Sequence, residues 1–301
     1  MLQASRSTPI FDPHIHLFNL QQGEYTWLKP EKPPFWPDKN RIYQNFSLHD
    51  LQLQSPLSIV GVCHIEAGFD NLNPERELRW LENEVIHQNT SKLVMASAAF
   101  VDMQQDSNMF IEVITRLRKH ISLCAIRHIF EDDTIELCEN PKVIANLHTL
   151  HKHGLHFELQ FDMANKAYVN AIITLLTAAN FPKVVLTHAG FAEPSNAAVF
   201  SQWKEHCLQL SRIENTYIKC SGFELVNRQY SKQQMQDVIT ACVQFFGEDR
   251  VMCASNFPLC LFSVSYQQYW LNMVHVLKAL SLSTHKLCYQ NAATLYCRET
   301  R

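Results

Sequence analysis

The chain has 301 residues, 47% of them apolar and 18% charged, with a formal net charge of −3. This composition excludes a disordered or collagen-like chain. The lack of a basic run argues against a nucleic-acid partner, and no apolar run reaches the roughly 18 residues of a membrane span.

In chain order, apolar β-type runs alternate with runs of helical period. Strands are predicted at 10–16, 57–66, 93–100, 123–129, 156–161, 184–188, 216–220 and 250–256. Helices are predicted at 74–88, 107–119, 141–153, 166–179, 197–210, 232–246, 266–280 and 284–296, with Pro141 suited to a first turn. A long connection rich in proline and aromatics follows the first strand, with at most a short helix near 47–53. Eight strands, each followed by a crossover, predict a (β/α)₈ TIM barrel, one domain over 1–301 with a long loop after the first strand. An open doubly wound sheet is the alternative, but no Gly-rich dinucleotide fingerprint follows any strand. The ten cysteines are scattered without a CxxC pair, and the first residues carry no apolar leader segment. Free buried thiols and a cytoplasmic setting are therefore expected.

In such a barrel, chemistry sits at the C-terminal ends of the strands. The first strand ends Asp12-Pro13-His14-Ile15-His16. Strand residues two apart share a face, so His14 and His16 can converge on one metal ion. The sixth strand delivers His188 just before Gly190, as a third ligand or an acid–base group. Arg127, in the apolar fourth strand, needs an anionic partner: a substrate carboxylate or a structural ion pair. By alternation Arg127 shares a face with Ala125, His64 with Glu66, and Glu158 with Gln160. Glu66 and Gln160, nearest the strand ends, are the candidate substrate-binding polars. The eighth strand ends Cys253-Ala254-Ser255-Asn256. An amide there hydrogen-bonds water or substrate but cannot accept a proton as a carboxylate would. The histidines at 87, 148, 151, 153, 156, 206, 275 and 285 read as surface or satisfied residues.

The Asp12–His16 opening resembles the D-x-H-x-H signature of the amidohydrolase superfamily. Further landmarks, Thr187-His188-Ala189-Gly190, Lys219-Cys220-Ser221-Gly222, the run 250–258 and Asn291-Ala292-Ala293-Thr294-Leu295-Tyr296, follow in the order seen in one branch. That amidohydrolase-2 branch includes 2-pyrone-4,6-dicarboxylate lactonase and sugar-lactone hydrolases. The resemblance implies a barrel with its site at the mouth and water attack on a lactone carbonyl, some members using a metal and others none. It implies that His14, His16 and His188 are metal-site or carbonyl-polarising histidines, and that Arg127 meets a substrate carboxylate or ring oxygen. The family's eighth strand usually ends Gly-Ser-Asp, and that aspartate takes the proton of the attacking water. Here Ala254 and Asn256 stand at the matching positions. No lysine ends the fourth strand to bridge a second ion.

The expected function is thus a hydrolase acting on a lactone of a small carboxylated or sugar-acid substrate. His14, His16, His188 and Asn256 are its catalytic set; Arg127, Glu66 and Gln160 bind substrate. One divalent metal, zinc or similar, is expected at His14, His16 and His188, with a metal-independent route as the other possibility. Glu66 or a metal-free imidazole would replace the missing base. A catalytically impaired, ligand-binding barrel and a metal-dependent decarboxylase are the competing readings. A small-molecule substrate is the expected partner, with no nucleic acid or membrane; oligomeric state is open.

Overall fold

Each of the eight apolar runs is a strand in the computed structural model, which describes residues 7–86, 93–177 and 181–297. The strands are β1 Thr8–Ile15, β2 Leu57–Ile65, β3 Val94–Phe100, β4 Leu123–Ile129, β5 His156–Gln160, β6 Val184–Leu186, β7 Thr216–Cys220 and β8 Val251–Cys253. They form one sheet in sequence order, each parallel to its neighbour. β8 returns to β1 through the His16 N–H, which donates to Phe257 O at 2.6 Å, and the Asn256 N–H, which donates to His14 O at 3.0 Å. The buried Asp12 carboxylate reinforces this seam, accepting from the Ser255 N–H at 3.0 Å and the Tyr266 hydroxyl at 3.1 Å. The result is the (β/α)₈ barrel.

The helices are α1 Glu75–Trp80, α2 Ser107–Leu117, α3 Thr134–Glu139, α4 Pro141–Lys152, α5 Lys166–Leu176, α6 Ala197–Ser211, α7 Phe223–Val226, α8 Lys232–Phe246, α9 Tyr266–Ala279 and α10 Asn291–Tyr296. Polar caps fix several starts: Asn140, Asn165, Asn196 and Ser265 each accept a backbone N–H of the first turn. The predicted helix 74–88 is α1 continued by wider i→i+5 turns over Leu81–Ile86. Residues 87–88 and 178–179 of two predicted helices, and His87, lie outside the described residues. α3 and α7 were not expected: both are under two turns long, too short for a periodic signal. Among the described residues no helix is long and apolar enough to cross a membrane. The ten cysteines are free thiols, all buried except the half-buried Cys297.

Two apolar layers carry the fold. One lies between strands and helices. The other fills the barrel, where small side chains (Cys63, Ala96, Ala98, Ala125) face Leu295 and Tyr296 of α10. Small walls leave room for a buried ion pair, Lys219 Nζ to Glu158 Oε2 at 2.7 Å. The Tyr296 hydroxyl donates to the other oxygen of Glu158.

The long loop after β1 folds over the barrel mouth. It has little backbone ladder, so side chains hold it. The buried Lys39 ammonium donates to the carbonyls of Trp27 (2.8 Å), Lys29 (3.2 Å) and Lys32 (2.6 Å). Trp36 packs on Phe262, and the Arg228 guanidinium lies over both rings.

Candidate active site

β1 carries a register shift between Asp12 and Ile15. Such a bulge re-aims the side chains beyond it. Phe11 points into the barrel, and after the bulge His14 and His16 converge with His188. The ring centroids lie 5.0 Å apart for His14–His16 and 4.5 Å for His14–His188.

His188 arrives differently. β6 stops at Leu186, two residues before the predicted end, and the chain enters four consecutive left-handed residues. These are His188 (φ 54°), Ala189 (φ 47°), Gly190 (φ 56°) and Phe191 (φ 60°). Left-handed backbone costs about 1–2 kcal/mol per non-glycine residue, so the surroundings must enforce it. A Cβ on Gly190 would lie 2.2 Å from Met163 Cγ, and one on Gly222 would lie 2.7 Å from His188 Nδ1. Both glycines are therefore demanded by packing as well as by positive φ.

Partners orient two of the imidazoles. His16 Nδ1 lies 2.8 Å from the Ile65 carbonyl, which can only accept; this fixes the proton on Nδ1 and places the lone pair on Nε2. His188 Nδ1 lies 3.1 Å from Ser221 Oγ. Both His14 nitrogens are buried and have no hydrogen-bond partner. Burial, followed by the charges of Arg127 and His64, pushes His16 down to about 3. Burial also holds His14 and His188 well below the usual histidine range; the next contributions are His188 for His14 and Arg127 for His188. All three are therefore neutral at physiological pH.

Above them opens a cavity of about 740 Å³, walled on the loop side by Trp27, Pro33, Pro34 and Trp36. Arg127, Glu66, Gln160 and Asn256 all line it. Arg127 is not an open clamp. Its guanidinium donates to Glu66 Oε1 at 2.6 Å and to Gln160 Oε1 at 2.7 Å. The expectation that His64 and Glu66 share a face is corrected. His64 points out of the barrel, where its Nδ1 accepts from the Leu17 N–H at 3.2 Å and its Nε2 meets Glu77 of α1 at 2.9 Å. Glu66 lies past the end of β2, where the chain leaves the pleat and turns into the mouth.

Three polar groups escaped the sequence reading. Asn71 and Glu131 line the cavity. Glu224, on α7, is fully buried and accepts from Asn256 Nδ2 at 2.6 Å. A lone carboxylate in the apolar run Phe223-Glu224-Leu225-Val226 was the available signal, since a buried charge demands a partner.

Three neutral imidazoles are the donor type a divalent ion such as zinc takes, and His14 has unsatisfied nitrogens to offer. By donor chemistry the residues fit. Among the described residues, however, no group of three or more His, Cys, Asp or Glu side chains stands ready to hold a metal ion. The imidazoles would have to draw together around it.

A family model described as amidohydrolase matches residues 11–298. The uncharacterized protein y4mH of Sinorhizobium fredii is 25% identical over 296 residues, covering 95% of this chain and 98% of that one. A Burkholderia multivorans amidohydrolase with bound Hepes superposes with a TM-score of 0.78 at 17% identity, covering 96% of this chain and 99% of that one. Its zinc-bound crystal form gives 0.77 at 16% identity, with the same coverage. A probable 2-pyrone-4,6-dicarboxylic acid hydrolase of Acinetobacter baumannii, with citric acid bound, gives 0.68 at 15% identity, covering 95% and 98%. At these identities the structures speak for a shared fold.

Proposed function

The chain belongs to the amidohydrolase family, and from that premise we propose that it hydrolyses a small lactone at the mouth of its barrel. The observation that carries the proposal is the convergence of His14, His16 and His188, all neutral, beneath a cavity also lined by Asn256. The substrate we favour is the lactone of an uncharged sugar acid rather than a carboxylated one. Arg127 already has its carboxylate in Glu66, and Glu131 adds a second negative charge to the lining. A carboxylated substrate would have to break the Arg127–Glu66 pair. Trp27 and Trp36 instead offer apolar faces to a sugar ring.

In this mechanism water attacks the lactone carbonyl and the ring C–O bond breaks to give a hydroxy acid. A neutral imidazole takes the water's proton, His14 having free nitrogens for the task. Burial keeps that lone pair available at neutral pH but makes it a weak base. A divalent ion held by His14, His16 and His188 would be the alternative to this route: it would occupy their lone pairs and acidify water toward a pKa of about 7, leaving Glu66 to take the proton. Asn256 hydrogen-bonds the water or the carbonyl. A cytoplasmic setting and a small-molecule partner go with this activity.

The test is proton release from a panel of sugar-acid lactones and carboxylated lactones, run with metal-free and zinc-loaded protein. Turnover of uncharged lactones is expected. Turnover confined to carboxylated lactones would overturn the substrate class. Binding without turnover across the panel would favour the ligand-binding barrel, a reading that the amide at position 256 supports.

A further inference from the structure

Asn256 is held in one place but by an unusual partner. Its backbone is left-handed (φ 59°), pinned by its N–H donating to His14 O at 3.0 Å and by its carbonyl accepting from the Leu259 N–H at 2.8 Å. Its side chain lies between Glu224 on one side and His16 on the other. Nδ2 donates to Glu224 Oε1 at 2.6 Å. Oδ1, the opposite end of the amide, is buried without a hydrogen-bond partner, as is Glu224 Oε2. Asn256 lines the cavity, whereas Glu224 stands behind it, fully buried.

We propose that Glu224 is a positioning residue: by accepting from Asn256 Nδ2 it turns the amide so that Oδ1, an acceptor, is presented on the histidine side of the site. An amide is nearly symmetric in shape, and only its hydrogen-bond partners decide which end faces which way. Ionised Glu224 accepts only, and so selects this orientation. Protonated Glu224 can donate, which allows the flipped amide with its NH₂ toward the histidines. Burial pushes Glu224 up to about 7, against the opposing pull of its hydrogen bonds and of Arg228. Arg228 donates to the Glu224 backbone carbonyl and commits its other nitrogens to Asp38 at 3.0 and 3.4 Å. Tyr230, Cys260 and Tyr269 stand nearby as neutral groups, each held far above neutrality.

The proposal rests on Asn256 belonging to the site described above, so its test does not depend on turnover alone. In protein labelled with ¹⁵N-asparagine, the Asn256 side-chain NH₂ is identified as the resonance lost in Asn256→Asp. In the wild type it is expected to be protected from exchange and to titrate with a midpoint near 7. In Glu224→Gln, whose amide can accept or donate at any pH, titration vanishes and protection falls between wild type and Glu224→Ala. In Glu224→Ala protection is lost. A pH-independent NH₂ in the wild type, or one unchanged in Glu224→Ala, overturns the proposal. Should Glu224→Ala fail to fold, the wild-type and Glu224→Gln titrations still decide. With any lactone that the wild type turns over, Glu224→Ala should lower kcat on the order of 10- to 100-fold with KM little changed, and Glu224→Gln, which permits both amide orientations, should fall between the two while flattening the pH profile around neutrality. An inert lactone panel would sink the hydrolase reading yet leave the NMR result to stand or fall by itself.

Discussion

The buried pair inside the barrel offers the sharpest test of how the site is supported. Lys219 and Glu158 are wholly inaccessible and 2.7 Å apart. The Glu158 carboxylate has one further donor, the Tyr296 hydroxyl, and the Lys219 ammonium lies 5.0 Å from the centre of the Tyr296 ring. Lys219→Met keeps the length and removes the charge, leaving a carboxylate in a dry barrel with a single hydroxyl for company. Removing one member of a buried pair costs about 3–5 kcal/mol, because the other charge is stranded, whereas removing both is often close to neutral. Against a total stability of about 5–15 kcal/mol, the single change is severe. Urea unfolding at fixed pH should show Lys219→Met and Glu158→Gln each losing several kcal/mol, and the double variant recovering most of the loss. The Lys219 charge also depresses His14 and His188, so Lys219→Met should let both take up protons at higher pH, visible by NMR. A loss below about 1 kcal/mol, or a double variant no better than Lys219→Met, would refute the reasoning.

Three further outcomes follow from single contacts. Gly222→Ala should cost about 2–5 kcal/mol in urea unfolding, from positive φ and overpacking on His188 together; Gly154→Ala, with equally positive φ but open space around it, should lose only the conformational part. Glu224 has a folded-state pKa of about 7 against an ordinary value of 4.5, so the folded state binds the extra proton, and stability should fall as pH rises between those values. Wild type should lose roughly 3 kcal/mol relative to Glu224→Gln over that window, measured by unfolding at each pH. Zinc titrated into metal-free protein should bind at about one equivalent by calorimetry and elemental analysis, and His16→Ala should abolish it; a stoichiometry near zero in the wild type would remove the metal from the mechanism.

The strands were legible because each is an apolar run bounded by a helical pattern. Where their ends differ, the chain is doing something for the site. β6 and β8 are only three residues long, because left-handed residues at 188–191 and 256 interrupt the pleat just where His188 and Asn256 must be presented. The inward convergence of His14 and His16 was read from their spacing, but the bulge that turns them in has no sequence signal. Arg127 was correctly seen to need an anion; that Glu66 supplies it depends on a turn past the end of β2 that alternation cannot describe, and the same turn defeated the pairing of Glu66 with His64. Lys219 and Glu224 carried the same signal as Arg127, a charge within an apolar run; Lys219 entered the reading only as part of a family landmark, and Glu224 not at all.

The amide at position 256 is matched to the carboxylate behind it. Asparagine and aspartate both tolerate left-handed backbone, so φ does not select between them; Glu224 does. In Asn256→Asp a second carboxyl would stand where Asn256 Nδ2 now meets Glu224 Oε1 at 2.6 Å. Two carboxyl groups that close in a dry site cannot both ionise and share one proton. Restoring the carboxylate alone is therefore expected to give a protonated pair at neutral pH, with little gain in turnover. Combining Asn256→Asp with Glu224→Gln removes the rival charge and supplies an amide donor to the new carboxylate. The double variant should exceed the single by at least about tenfold in kcat on a responsive lactone. Potentiometric titration checks the cause without relying on activity: above pH 7, where wild-type Glu224 is ionised, Asn256→Asp should hold one more proton than wild type, and the double variant should not. A single variant as active as the double, or one with no extra proton, would mean that the amide at 256 answers to something other than the carboxylate behind it.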